Sequence, residues 1–247
     1  MSGHSKWATT KRKKARIDSA RAKVFNRILR EITVAARMGG SDPEGNPRLR
    51  ASILKAKGAN MPNKNIETAI AKGAGELEGV TYTEITYEGY GPAGTAIMVD
   101  TMTDNKVRTV AEMRHIFSKN GGNMGEAGSV AWMFKSKGII TLAKDAIGED
   151  ALFELVTDAG AEDLDASGSE YEIKVEPESY HALTEALEKK GLKPITSEVV
   201  KIAENMVKVT GEDAEKVLKI LEALDEQDDV QNVHTNADFD QKELENL

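Results

Sequence analysis

Apolar side chains recur at helical spacing close behind the N-terminal end of the chain. Between about Ser19 and Met38 they fall on one side of a helix drawn at about 100° per residue; they are Phe25, Ile28, Leu29, Ile32 and Ala36. The opposite side gathers cations, namely Arg16, Lys23, Arg27, Arg30 and Arg37. The pair Gly39-Gly40 then follows, as is typical of a helix C-terminus. The pattern predicts an amphipathic helix with a cationic polar face.

Two shorter helices are predicted next. Asn46 is a favoured N-cap residue, Pro47 suits the first helical position, and Gly58 follows as a stop. A further helix is predicted over 63–72, with Gly73 as its stop. The three helices together predict a small basic bundle, and the segment GAGELEGVT is the predicted linker that leaves it.

Beyond Thr81 the pattern changes to alternating strands and helices. Segment 137–203 has the predicted order β-α-β-β-α-β, which is the ferredoxin-like split βαβ plan. The flanking segments, one of which ends in the predicted strand SVAWMF, contribute βαβ and a second βαβ. We expect them to form a domain of similar plan, with the middle domain inserted between its halves.

The predicted fold class is therefore α+β with three domains, an N-terminal three-helix bundle and two ferredoxin-like α/β domains. Residues 1–18 contain almost nothing that could pack in a core, which predicts a mobile arm. The predicted boundaries are 1–18 for the basic arm, 19–78 for the helical basic domain, 79–136 with 204–240 for the discontinuous α/β domain, 137–203 for the inserted α/β domain and 241–247 for a tail.

Charge also divides the chain close to the end of the predicted helical domain. The 247 residues carry a formal net charge of -8, but residues 1–75 hold 17 Lys and Arg against 5 Asp and Glu, a net of +12. Residues 76–247 hold the remaining 16 Lys and Arg and 36 Asp and Glu, a net of -20. A basic module on an acidic body indicates binding to a polyanion through the N-terminal part.

Composition excludes several classes of function. The chain has no cysteine, so disulfides, thiolate zinc sites and thiol catalysis are excluded, and a cytoplasmic location is expected. No apolar run approaches the roughly 18 residues that would span a membrane, so no membrane partner is expected.

Neither of the two glycine-rich segments, YEGYGPAGTAIMV and SKNGGNMGEAGSV, matches a phosphate-binding P-loop. A hairpin with a proline-containing turn explains the first, and a structural loop explains the second. The four histidines are scattered, and the late acidic cluster of Asp225, Glu226, Asp228 and Asp229 is what an acidic surface produces by chance. We predict no catalytic residues, no metal and no cofactor; an enzyme that holds a nucleotide in the glycine loops is the least favoured alternative.

The basic arm is the strongest chemical feature. Six of the eleven residues from Lys6 to Arg16 are Lys or Arg, with Trp7 among them. Such cations bind phosphates by displacing condensed counterions, and an indole can stack on an unpaired base. The alternative is a solubilising tail with Trp7 folded onto the bundle. The predicted nucleic-acid contacts are Lys6, Trp7, Lys11, Arg12, Lys13, Lys14, Arg16, Lys23, Arg27 and Arg30.

The second and third predicted helices also resemble a helix-turn-helix. Asn63, Lys64 and Asn65 would then begin the helix that contacts base edges. Many helical hairpins look like this, and generic packing is their commoner role.

Long motifs resemble the YebC/PmpR family, which includes the mitochondrial translational activator of cytochrome oxidase subunit I. They cover essentially the whole chain and are GHSKWATTKRKKA, FNRILREITVAARMGGSDPEGNPRLRASILKAKGANMPNKNIETAIAKG, YEGYGPAGTAIMVDTMTDNKVRTVAEMRHIFSKNGGNMGEAGSVAWMF and DVQNVHTNADF. Two departures stand out. The chain has WATTKRKK at Trp7–Lys14 where the family usually has WANIKHRK, and Pro92-Ala93-Gly94 where the family usually has Pro-Gly-Gly.

The resemblance implies a non-enzymatic regulator of gene expression with one helical and two α/β domains. Bacterial members are described as DNA-binding transcriptional regulators, and other members as ribosome-associated translation factors that ease difficult stretches such as consecutive prolines. The expected partner is accordingly nucleic acid, either DNA or rRNA. The acidic α/β domains would be repelled by phosphate, so they are expected to face away from it or to meet a basic protein.

Overall fold

A computed structural model describes residues 18–240, with side chains from residue 22 onward. The predicted tail and all of the predicted mobile arm except its last residue lie outside that range. The described chain divides into two compact units, one of which is Trp132–Glu204. The other holds the described residues up to Ala131 together with those from Asn205 onward.

The helical domain lies in the larger unit and consists of α1 (Asp18–Gly39), α2 (Pro47–Gly58) and α3 (Asn63–Ala74). The apolar face predicted for α1 is confirmed, because its members lie in or against one buried cluster. That cluster is formed by Ile28, Ile32, Ala35, Ala36, Leu49, Ala56, Met61, Ile66 and Ala69. Each helix contributes apolar residues to it, so the three helices share a single core.

Asn46 connects the end of α1 to the start of α2. Its Oδ1 accepts a hydrogen bond from the backbone N–H of Leu49 at 3.1 Å, which caps α2 as predicted. Its Nδ2 donates to the carbonyl oxygens of Ala35 and Gly40, both at 2.8 Å. The side chain is 4% exposed, so one buried amide satisfies backbone groups at both helix ends.

Gly73 was predicted to end α3, and this prediction is wrong. The helix continues to Ala74, and the left-handed residue that ends it is Gly75, with φ 82°. Gly73 instead lies where α3 packs closely against α1: a Cβ at this position would stand 2.4 Å from the carbonyl oxygen of Thr33. The glycine is therefore required by helix packing rather than by helix termination.

Gly73→Ala is expected to lower the free energy of unfolding by about 1–3 kcal/mol, because the added methyl forces α3 away from α1. Gly58→Ala is the matched control, since an added Cβ at that α2 position meets nothing within 4 Å. We expect the control to be neutral or to stabilise by up to about 1 kcal/mol. Urea denaturation measures both, and equal effects in the two variants would contradict the close contact.

The remainder of the larger unit is an antiparallel sheet covered by two helices. Its elements are β1 (Thr83–Tyr90), β2 (Ala96–Thr103), α4 (Lys106–Lys119), β3 (Asn123–Met124), β8 (Val207–Val209), α7 (Gly211–Glu226), β9 (Val230–Thr235) and β10 (Ala237–Phe239). The strand order is β3-β1-β2-β9, and β8 pairs separately and in parallel with β10. Residues of α4 and α7, including Phe117 and Leu221, join the core of this sheet.

The first glycine-rich segment is the hairpin turn between β1 and β2, as predicted. Register runs from Thr83 opposite Thr103 to Tyr90 opposite Ala96, and a single 3₁₀ turn, Pro92–Gly94, closes the hairpin. Within that turn Ala93 has φ 56° and ψ 16°, a left-handed conformation that suits glycine better. The departure from Pro-Gly-Gly therefore places a Cβ at a strained position.

The smaller unit follows the predicted order β-α-β-β-α-β. It comprises β4 (Phe134–Ala143), α5 (Glu149–Asp158), β5 (Ala161–Asp165), β6 (Glu170–Val175), α6 (Pro177–Lys189) and β7 (Thr196–Ala203). The strand order is β5-β6-β4-β7, with every neighbouring pair antiparallel. Leu152, Leu183 and Leu187 anchor the two helices in its core.

The predicted strand SVAWMF at 129–134 is not present. Ala131–Met133 forms a 3₁₀ turn, and only Phe134 belongs to a strand, as the first residue of β4. At the level of a helical domain with two antiparallel α/β sheets, the predicted α+β class is confirmed.

Candidate nucleic-acid interface

The predicted interface residues fall into two groups. Lys6, Trp7, Lys11, Arg12, Lys13, Lys14 and Arg16 lie outside the described residues. Lys23, Arg27 and Arg30 lie on α1, three or four residues apart, so the helix brings them to one face.

Arg27 is engaged by the C-terminal end of α7. Its Nη2 donates to the main-chain oxygen of Asp225 at 2.6 Å and to the carboxylate Oδ1 of the same residue at 3.0 Å. Both side chains are less than one-fifth exposed. A phosphate that binds Arg27 would therefore have to displace a carboxylate that already holds it.

Arg30 is held in a similar way, one turn along α1. Its Nη1 donates to the carboxylate Oδ1 of Asp229 at 3.1 Å, to the carbonyl oxygen of Met102 at 3.3 Å and to the carbonyl oxygen of Asp228. Its guanidinium carbon lies 5.3 Å from the centroid of the Tyr82 ring. Arg27, Arg30, Asp225 and Asp229 together form what we call the junction cluster, which links the helical domain to the end of α7 and to the loop between α7 and β9.

Asp229 is the most enclosed member of the junction cluster, being 4% exposed. Its Oδ2 accepts hydrogen bonds from Arg108 Nη2 at 2.7 Å, Thr109 Oγ1 at 2.8 Å and Thr103 Oγ1 at 3.0 Å. Burial raises the pKa of this carboxyl, but those hydrogen bonds outweigh burial and hold its pKa below the ordinary value. The attribution of Asp229 to a chance acidic surface is therefore wrong.

A second ion-pair group joins α2 to β1. Arg48 donates from Nε to Glu31 Oε1 at 2.7 Å and from Nη2 to Glu84 Oε1 at 2.6 Å. Hydrogen bonds from these two carboxylates raise the pKa of Arg48 above its ordinary value. The helical domain is thus attached to the rest of the larger unit by ion pairs at two places, the junction cluster and the Arg48 group.

Lys23 differs from the two arginines. No described carboxylate lies within ion-pair distance of its ammonium, and it is half-buried. Burial and the neighbouring charge of Arg27 lower the pKa of Lys23, although Asp225 and other acids nearby oppose them. Among the three predicted α1 residues, Lys23 is the one left available to an external anion.

Further cations of the helical domain are exposed but are not among the ten predicted contacts, although the sequence pattern places Arg37 on the cationic face of α1 and Lys64 in the possible helix-turn-helix. Arg37, Lys57, Lys64 and Lys72 are exposed and form no ion pair with any described residue. Only Lys57 and Lys72 had no predicted role, and the signal that identifies them is their position on the polar faces of α2 and α3.

No group of three or more His, Asp or Glu side chains among residues 18–240 is arranged to hold a metal ion. The second glycine-rich segment follows α4, where Gly122 lies against Phe117 and Ile220 and a Cβ would meet the carbonyl oxygen of Tyr90 at 2.7 Å. Close packing accounts for this glycine. Within the described range, none of the helices combines the length and apolar character needed to cross a membrane.

Helices α1–α3 form a basic helical domain that is ion-paired to the α/β part of the larger unit. The smaller unit adds a second antiparallel α/β sheet. Together these features define a multidomain α+β protein. The family described as "TACO1/YebC protein N-terminal domain" matches residues 5–76, and that described as "TACO1/YebC second and third domain" matches residues 82–237. The chain belongs to the TACO1/YebC family.

Individual relatives match over nearly their whole length. The chain is 56% identical over 247 residues to a probable transcriptional regulatory protein of Acidithiobacillus ferrooxidans, covering 100% of this chain and 98% of that protein. The chain is 53% identical to a probable transcriptional regulatory protein of Koribacter versatilis, and the match covers 100% of this chain and 99% of that protein. A crystal structure of a conserved hypothetical protein from Aquifex aeolicus has a TM-score of 0.83 at 44% identity, covering 92% of this chain and 94% of that chain.

Proposed function

We propose that this chain is a non-enzymatic, cytoplasmic regulator of transcription that binds DNA through its N-terminal region. The observation that carries the proposal is the separation of charge, +12 over residues 1–75 against -20 over the remainder. Phosphate is attracted to the first part and repelled by the second, which orients the protein on a nucleic acid. The names of the Acidithiobacillus and Koribacter relatives support the same process.

The proposed contacts are the arm cations with Trp7, together with Lys23 on α1. The exposed cations of the helical domain extend this surface. Arg27 and Arg30 remain proposed contacts only if phosphate competes with Asp225 and Asp229 for their guanidinium groups. The proposed contacts therefore fall into two groups: cations that are available to a phosphate, and Arg27 and Arg30, which are already bound to carboxylates.

The domain boundaries predicted from sequence fit a division of labour. We infer that 1–18 and 19–78 bind nucleic acid, while 79–136 with 204–240 and an inserted ferredoxin-like domain at 137–203 face away from it. The strand order β5-β6-β4-β7 of the smaller unit supports the ferredoxin-like assignment. The acidic surface of these two domains suits a basic protein partner.

A second candidate function is a ribosome-associated translation factor that binds rRNA and eases the synthesis of proline-rich stretches. The observation that favours it is the composition of the arm, because basic segments without a core commonly fold on RNA.

Crosslinking in cells followed by sucrose-gradient fractionation tests the two functions against each other. Transcriptional regulation predicts recovery with specific DNA and none with ribosomal subunits. Crosslinks from Trp7 to rRNA, with co-sedimentation on ribosomal subunits, would overturn it in favour of the second function. A Trp7→Ala chain is the control for crosslinks that arise from elsewhere in the protein.

A further inference from the structure

A groove of about 510 Å³ runs along the helical domain between α1, α3 and the segment that enters β1. Buried Ala69 lies on its floor, and Tyr82 and Arg30 line one side. Asn65 and Lys72 contribute from α3, seven residues apart and so on the same face of that helix. The volume is within the range of about 300–1,000 Å³ that is typical of small-ligand sites.

Tyr82 and Arg30 contribute an aromatic ring and a guanidinium group to one side of the groove. The guanidinium lies over the ring at 5.3 Å, and the hydrogen bonds to Asp229 and Met102 fix its position. Aromatic rings and guanidinium planes are the surfaces on which proteins stack unpaired bases. This stack is formed in advance, so a base would meet it without an ordering cost.

The rim carries groups that suit the other parts of a nucleotide. Asn26 and Asn65 are exposed at the groove, and their side chains form no hydrogen bond with a described residue. An amide both donates and accepts, which is what base edges require. Lys72 is exposed on the same rim and unpaired among the described residues, so its ammonium is available to a phosphate.

We propose that this groove binds an unpaired nucleotide of a single-stranded RNA or DNA segment. The proposal rests on the proposed nucleic-acid function. It adds that the helical domain selects unpaired segments over duplex. A base inside a duplex has both faces stacked and its edge paired, so the groove cannot take it without extrusion. The groove therefore adds a preference for unpaired segments to the electrostatic attraction, which acts equally on any phosphate backbone.

Fluorescence anisotropy with the full chain tests the proposal on labelled oligonucleotides of about 12 residues, as single strands and as duplexes, in both RNA and DNA. The test variant is Asn65→Ala with Lys72→Gln, and the control is Asn63→Ala with Lys57→Gln, which changes the same residue types on α3 and α2 outside the groove. Because the two variants lose the same charge, their general attraction to phosphate falls alike.

We expect the test variant to bind single strands about tenfold more weakly than the control and to bind duplexes equally. Tyr82→Leu, which keeps an apolar side chain but removes the ring, is expected to show the same selective loss. Equal single-strand affinities of the test and control variants would overturn the groove proposal. Binding of the same probes by the wild-type chain would still support the proposed nucleic-acid function. A wild-type chain that binds none of the probes would overturn the proposed function itself. A selective loss with RNA alone, or with DNA alone, identifies which single strand the groove takes.

Discussion

Replacement of Asp229 by alanine is expected to lower the free energy of unfolding by about 3 kcal/mol. The carboxylate is 4% exposed and accepts hydrogen bonds from Arg30 and Arg108 and from two threonine hydroxyls. Removing it leaves the largely enclosed Arg30 guanidinium without its counter-charge and the hydroxyls without their acceptor. Because these donors come from α1, β2 and α4, the loss weakens the attachment of the helical domain to the sheet.

Asp225→Ala is the matched control, since it removes the other carboxylate of the junction cluster. Asp225 is 19% exposed at its side chain, so its ion pair with Arg27 is better solvated than the contacts of Asp229, and we expect a loss of only about 1 kcal/mol. Urea denaturation followed by circular dichroism measures both variants. An Asp229→Ala loss no larger than that of Asp225→Ala would contradict the central position assigned to Asp229.

Acid provides an independent check on the same carboxylate. The pKa of Asp229 is lowered in the folded protein, so its ionised form stabilises the fold. The stability difference between wild type and Asp229→Ala should be complete above the ordinary aspartate pKa of about 3.9. It should shrink as the pH falls through the lower pKa of the folded state, because the carboxyl is then protonated in both states.

The features that the sequence predicted well are those whose signals lie within a few residues of each other. The cap of α2 depends on Asn46 and Leu49, and the face of α1 on apolar spacings of three and four. The element order of the smaller unit follows from alternation between period two and period 3.6, which local sequence carries in full.

Features that depend on distant contacts were not predictable in this way. Arg30 and Asp229 are 199 positions apart, and a sum of charges cannot distinguish a buried acid from an exposed one. The apolar alternation of Val130, Trp132 and Phe134 favours a strand, but the buried carboxylate of Glu88 accepts the backbone N–H groups of Gly128, Val130 and Ala131. Those N–H groups are then unavailable to a strand ladder, so a turn forms instead.

Some of the cations that produce the charge asymmetry bind acidic residues within the protein. Part of the basic excess of the helical domain is matched internally. Arg27 is bound to Asp225 of α7, Arg30 to Asp229 in the loop before β9, and Arg48 to Glu84 of β1. Cations that serve a nucleic acid must then come mainly from the exposed positions of α1–α3 and from the six Lys and Arg residues between positions 6 and 16.

Deletion of residues 1–16 is accordingly expected to weaken nucleic-acid binding by about a hundredfold or more. The six arm cations can neutralise about six phosphates, which gives wild type a log–log salt slope of about -5, and the truncated chain should retain only a small part of that slope. The melting temperature should not change, because the buried cluster of the helical domain is built from Ile28 onward. Deletion of 241–247, with no expected effect on binding, is the control for truncation as such. Full-strength binding by the chain that lacks 1–16 would contradict the assignment of the arm and move the interface to the exposed cations of α1–α3.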